Sequence, residues 1–290
     1  MRRAIIDIGT NTVKLLVADI SCGQVVPITA KDRTTRLGEG VDDSRRLLPA
    51  ARARTVRAIQ DYLVEARALG AKDFRALATS AARDAANRDE FLDQVQRECG
   101  LDVELISGER EAELIFRGVS SDPEWASQPI LVMDVGGGSA EFIQGHTGKM
   151  ERFQSLPLGA LRLMEKFGDK RFADLCEHVR ATLHDALASY DADHCRLIAT
   201  GGTITTLARI ECGAVDHATI SREKLQALVR KLEAMPLAER KKVPGLPPER
   251  ADIVVAGGAV FLVAMEVLGV GELTVSIRNL RYGALVSDTK

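Results

Sequence analysis

Short β-branched apolar runs alternate along the chain with longer stretches whose apolar positions recur at helical spacing. Residues 4–8, 12–20 and 24–30 read as three strands, the second and third joined through Ser21-Cys22-Gly23. A loop rich in charge and glycine follows from Lys31 to Gly40. Pro49 opens a helix that ends before Gly70, with Val56, Ile59, Leu63 and Ala66 on one face. Phe74 to Ala78 is a strand, and Asn87 followed by Glu90 forms a capping-box pattern for a helix reaching Cys99. Val103 to Ile106 is a further strand, after which Ser107-Gly108 leads into a helix to about Val119.

Ser121-Asp122-Pro123 breaks this pattern, and the opening then recurs. Residues 130–133, 140–144 and 149–154 repeat the three strands; helices at about 159–167 and 172–190, a strand at 196–199 and a helix from Thr203 follow. The remainder reads as helix at 221–235 and 248–268, with a short strand at 272–275. Mixed strands followed by strand–helix alternation, twice over, predict an α/β protein of two lobes, each a sheet covered by helices. The lobes are expected at residues 1–122 and 123–290, hinged near 120–128, with a cleft between them.

The recurrence carries the candidate chemistry. Ala4 to Asn11 reads AIIDIGTN and Ile130 to Ser139 reads ILVMDVGGGS. In each, an apolar strand delivers one aspartate, Asp7 or Asp134, to a glycine turn. An ionised carboxylate at such a strand end is costly unless a cation satisfies it, and Mg²⁺ would do so directly or through its water shell. Gly9, Gly136, Gly137 and Gly138 leave backbone amides open to phosphoryl oxygens, while Thr10, Asn11 and Ser139 add donors. One D-x-G hairpin is an ordinary Asx turn; two at matched positions argue for a site.

Other positions add to that set. Gly201-Gly202-Thr203 follows a strand and opens a helix, the layout of an anion site at a helix N-terminus. Gly257-Gly258 suits either close approach to a ligand or close helix packing. Glu111, in the first turn of a helix, is placed to act as a general base toward water, although the helix dipole alone would favour an acid there. Glu141 lies on the strand returning from the second hairpin, with its face undetermined by spacing. Arg83, just past a strand end among small residues, is a candidate phosphate clamp, as are Arg33 and Arg36. His184-Asp185 lacks companion histidine spacing and reads as an exposed helix pair. There is no G-x-x-x-x-G-K-[ST] and no G-x-S-x-G, which excludes a P-loop enzyme and an acyl-transfer elbow.

Composition narrows the field further. At 290 residues, roughly 150 per domain gives about two domains. Lys+Arg 39 against Asp+Glu 41 leaves a net charge of −2, so no bulk positive charge draws the chain to nucleic acid. Three Tyr and one Trp supply no stacking platform for single strands. The five cysteines form no C-x-x-C and read as buried free thiols of a reducing compartment. Met1-Arg2-Arg3 leads straight into a strand, unlike a signal peptide. The apolar run from Ile253 to Met265 is too short to span a bilayer. A cytoplasmic protein with no membrane or nucleic-acid partner is expected.

AIIDIGTNTVKLLVAD, ALATSAARDAAN, ISGEREAELIFRGV, LVMDVGGGSAEFI, SLPLGALRLMEKF and IATGGTITTLARI, in this order, resemble the exopolyphosphatase/guanosine pentaphosphate phosphatase (Ppx/GppA) family. The resemblance implies two actin-like (ribonuclease H-like) lobes of the actin, sugar kinase and heat-shock ATPase superfold. It implies Mg²⁺-dependent hydrolysis of the terminal phosphoanhydride of inorganic polyphosphate, or removal of the 5′ γ-phosphate of pppGpp, in a homodimer. By motif position Glu111 matches the general base and Arg83 an arginine near the transferred phosphate. Asp134 and Glu141 match acids of the metal and phosphate site, and Asp7 the first-lobe carboxylate. Gly136 to Ser139 and Gly201 to Thr203 match phosphate-cradling turns. Arg110 stands where family members often carry another acid, and Ile277-Arg278-Asn279-Leu280-Arg281-Tyr282-Gly283 replaces a D-G-G-L-R-E-G-like segment. The chain stops at Lys290, without the C-terminal helical HD-like domain of longer members.

Two other readings stay open. A small-molecule kinase of the same superfold would need an adenosine pocket, for which Gly257-Gly258-Ala259 is the candidate. A non-catalytic polyphosphate or alarmone sensor would have no use for a water-activating acid such as Glu111.

Overall fold

Both glycine hairpins form, each as the start of its own sheet. The structure is a computed structural model that describes residues 1–21 and 24–286. Of the turn expected at Ser21-Cys22-Gly23, Cys22 and Gly23 lie outside the described residues. The chain divides into two units: Met1–Ser121 with the segment from Leu280, and Asp122–Asn279.

The first unit opens with β1 (Arg2–Ile8), β2 (Thr12–Ser21) and β3 (Gln24–Thr34), continues through α1 (Val41–Ser44), α2 (Pro49–Ala68), β4 (Asp73–Ala78), α3 (Ser80–Asp84) and α4 (Arg88–Cys99), and reaches β5 (Val103–Leu105) and α5 (Gly108–Ser120). Its sheet runs β3-β2-β1-β4-β5, antiparallel in the opening hairpins and parallel from β1 through β4 to β5. Val56, Ile59, Leu63 and Ala66 of α2 are buried together, as their spacing predicts. β3 is longer than expected, because the charged residues Lys31 to Arg33, with Thr34, continue the ladder on an edge strand whose outer side faces solvent. Ser107 caps α5 by accepting from the Arg110 amide at 3.1 Å. Asn87 makes no cap; its side chain bridges the Leu47 amide and carbonyl instead, at 2.8 and 3.1 Å.

The second unit contains β6 (Ile130–Val135), β7 (Ala140–His146), β8 (Lys149–Leu156), α6 (Ala160–Phe167), α7 (Phe172–Leu187), β9 (Arg196–Thr200), α8 (Gly202–Cys212), β10 (Thr219–Ser221), α9 (Arg222–Ala234), α10 (Leu237–Arg240), α11 (Val254–Val267) and β11 (Glu272–Val275). Its sheet runs β10-β11-β9-β6-β7-β8, with β6, β9 and β11 parallel and the opening hairpins antiparallel. The first four strands of each unit thus share one order, with β11 lying beside β9 as β5 lies beside β4, which is the actin-like duplication. The helix expected over 248–268 is interrupted: Pro248–Arg250 forms a single 3-10 turn and α11 starts at Val254. α11 is buried along nearly its whole length, and no helix among the described residues is long and apolar enough to cross a membrane.

The chain then returns. The second lobe was expected to run from 123 to 290, whereas α12 (Leu280–Val286) belongs to the first unit. It packs on α5 because Gly283 has no Cβ: one built there would collide with the Leu114 carbonyl and stand 3.0 Å from the Gly118 nitrogen. Arg281 fixes the helix further by donating to the Leu15 carbonyl at 2.9 Å. The thiols also depart from expectation. Cys99, Cys176 and Cys195 are half-buried and Cys212 is exposed, all four free.

Candidate active site

The register of the two hairpins settles the face of Glu141. Asp134 opposes Glu141 directly across β6–β7, and Glu141 opposes Ser155 across β7–β8; directly opposed residues share a face. The Ser155 hydroxyl donates to Glu141 Oε1 at 2.8 Å. At the same ladder position of the first unit, Asp7 opposes Lys14, which opposes Asp32. Lys14 Nζ stands 3.7 Å from Asp7 Oδ2, and Arg281 Nη1 is 3.6 Å from Asp32 Oδ1. Burial pushes the Asp7 carboxyl above its ordinary range, against the opposing charges of Lys14 and then Arg281. One row therefore alternates in sign, while the other sets two acids side by side.

The turn after Asp134 is built from its carbonyls. Gly136 donates to the Ser139 carbonyl at 3.0 Å. The Gly136 carbonyl accepts from the Ala160 amide at 2.9 Å, and that of Gly137 from Leu161 and Arg162 at 2.9 and 3.2 Å. This engagement needs Gly159, where a Cβ would strike the Gly137–Gly138 backbone. A trans peptide points its N–H opposite its C=O, so the amides of Gly137 and Gly138 face away from the start of α6, as a backbone anion site would require.

The third turn stands against Asp134 itself. Gly201 has φ +96°, and a Cβ there would collide with Asp134 Oδ1; glycine is required on both counts. A Cβ on Gly202 would collide with the Arg250 guanidinium, so a buried cation lies against the N-terminus of α8. Thr203 is buried, its hydroxyl beside Gly257. In the first-unit turn, Gly9 donates to the Thr12 carbonyl at 3.1 Å and Asn11 Nδ2 to Thr12 Oγ1 at 3.2 Å. The Thr10 hydroxyl accepts from the Ala81 amide at 3.2 Å. The side-chain nitrogen of Asn11 is thus engaged within the hairpin itself, whereas its Oδ1 is buried without a partner.

Glu111 and Arg83 meet. The buried Glu111 lies in the first turn of α5, and Arg83 Nη1, from α3, is 3.0 Å from its Oε2. The same nitrogen donates to the Ile106 carbonyl at 2.9 Å, which fixes the guanidinium. A carboxylate held in this way can accept a proton from water. Arg33 is engaged with Asp61 and lies 5.4 Å from the Tyr62 ring, and His184 pairs with Asp185 on the surface. Gly257 and Gly258 are filled by packing: added Cβ atoms would stand 2.7 Å from Thr203 Oγ1 and 2.8 Å from Val229 Cγ2. The adenosine pocket considered there is occupied by neighbouring helices. Sequence reasoning missed Lys14, Gly159, Arg162 and Arg250. SLPLGALRL held a glycine signal for Gly159, but Arg250 had none.

Comparisons with known proteins agree with this fold. A family model described as the Ppx/GppA phosphatase family matches residues 16–290. Exopolyphosphatase 1 of Mycobacterium tuberculosis is 31% identical over 99% of this chain and 88% of its own length. The guanosine-5′-triphosphate,3′-diphosphate pyrophosphatase of Aeromonas hydrophila is 30% identical, over 97% of this chain and 58% of the longer protein. The crystal structure of an exopolyphosphatase from Cytophaga hutchinsonii aligns with a TM-score of 0.91 at 27% identity, covering 100% of this chain and 99% of that one. Two duplicated actin-like units, glycine turns after each aspartate and a match over nearly the whole length lead to one conclusion: the chain belongs to the Ppx/GppA phosphatase family.

Proposed function

We propose that this chain hydrolyses the terminal phosphoanhydride of inorganic polyphosphate, releasing orthophosphate, and removes the 5′ γ-phosphate of pppGpp. The observation that carries the reading is the Asp134/Glu141 row beside two glycine turns, one with its amides turned outward and one backed by Arg250. The names of the mycobacterial and Aeromonas relatives support the two substrates.

The donor set suits Mg²⁺, which is held by one or two carboxylates together with substrate phosphates. Asp134 and Glu141 are hard oxygen ligands on one face, and among the described residues no three acidic, histidine or cysteine side chains form a closed cage. We assign the ion to this pair and not to Asp7, whose counter-charges are Lys14 and Arg281. When bound, Mg²⁺ would neutralise charge on the terminal phosphates.

The chain's own residues do the rest. Glu111, fixed by Arg83, orients a water and takes its proton as the water oxygen bonds to the terminal phosphorus. The bond from that phosphorus to the bridging oxygen breaks, and the shortened chain leaves with the electron pair. Amides of the Gly136–Ser139 and Gly201–Thr203 turns stabilise charge on the equatorial oxygens. Glu111→Gln is expected to slow phosphate release by about 10²–10⁴-fold while leaving the fold intact; unchanged release from polyphosphate would remove the base assignment. Assays on long polyphosphate, tripolyphosphate, pppGpp and ATP, with and without Mg²⁺, discriminate the substrates. ATP turnover that rises with an added acceptor would indicate a kinase, and binding without release a sensor.

A further inference from the structure

We propose that Arg162 is a positioning residue that aims the Ser139 amide at the phosphate. The proposal rests on the reading of the Gly136–Ser139 turn as a phosphate cradle.

Three consecutive peptide planes make up that turn, and they are not held alike. The planes joining Gly136 to Gly137 and Gly137 to Gly138 are set by backbone, through the amides of Ala160, Leu161 and Arg162 at the start of α6. The plane joining Gly138 to Ser139 is held by a side chain: Arg162 Nε donates to the Gly138 carbonyl at 2.7 Å. Since a trans peptide is planar with C=O and N–H opposed, fixing that carbonyl fixes the Ser139 N–H in the opposite direction. Gly138 has no Cβ to limit rotation on its side of this plane, so the carbonyl depends on a partner to hold it. Ser139 also begins the return into β7, toward Glu141, so its amide is the one nearest in sequence to the acidic row. Electrostatic stabilisation requires donors held in place before charge develops. Arg162 supplies this hold for one amide without itself being a phosphate ligand. Arg162 is half-buried, and its donating Nε belongs to a planar guanidinium whose fixed N–H direction lysine reproduces only in part.

The experiment is an orthophosphate titration of ¹⁵N-labelled full-length protein, following the Gly137, Gly138 and Ser139 amides. In the wild type all three are expected to shift. In Arg162→Met, which keeps the apolar stem and loses the donor, the Ser139 response is expected to fall to less than about half while Gly137 and Gly138 keep theirs. The same variant is expected to lose about tenfold in kcat/KM on tripolyphosphate, the scale of one hydrogen bond. Arg162→Lys should recover part of both losses, and it is the variant to measure if Arg162→Met does not fold. An undiminished Ser139 response would overturn the proposal, as would equal loss at all three amides, which would mean Arg162 merely supports the turn. Absence of any response in the wild type would instead remove the cradle reading, and the proposal with it.

Discussion

Lys14 and Glu141 occupy the same ladder position of two like hairpins, and this one difference separates the aspartates they face. Asp7 is buried beside Lys14, yet burial still holds its carboxyl above the ordinary value of 3.8. The unfolded chain therefore gives up this proton more readily than the folded one. Below pH 3.8 the group is protonated in both states and has no effect; as pH rises toward and through the folded value, ionisation costs the folded state. Asp7→Asn should thus gain in thermal midpoint over the wild type as pH is raised from about 4 to 7. Parallel melts at several pH values check this, and a gap that narrows with pH would contradict it. The two hairpin aspartates and the glycines directly after them were legible in sequence because each lies within its own local turn. Lys14, Arg162 and Arg250 were not, because each takes its role from a partner on another segment, and nothing local marks such pairings.

At the scale of elements, periodicity carried far where one face is buried and one is wet. α2 and the four opening strands of each unit lie close to where the pattern puts them, whereas the short edge strand β10 had no counterpart in it. It failed where a different force decided. β3 extends through charged residues because edge strands tolerate them, and Asn87 abandons the capping box for a bridge to Leu47. α12 is short, and its packing depends on a single absent side chain. Gly283 meets the Leu114 carbonyl, a backbone atom that cannot swing aside. Gly283→Val is expected to cost about 1–3 kcal/mol by overpacking, read as a lower denaturation midpoint in urea with an unchanged slope. A variant as stable as wild type would mean that α5 and α12 have room to separate.

On the whole molecule, the second unit is an insertion: Asp122–Asn279 is continuous, while the first unit needs the segment from Leu280 to cover α5. A chain ending at Asn279 should keep slow amide exchange in β6 and β7 and lose it in β1 and β2. Equal protection in both hairpins would show the first unit to be complete without α12. The returning helix also sets an order of events during synthesis. Domains generally fold as units, the N-terminal one first as it emerges. Here β1 and β2 are made before the whole second unit and α12 after it, so α5 lacks meanwhile the helix that packs on it near Leu114 and Gly118. Translation thus completes the glycine turns of the second unit before the unit carrying Glu111 can close, and the nascent chain is most exposed to misassembly in that interval.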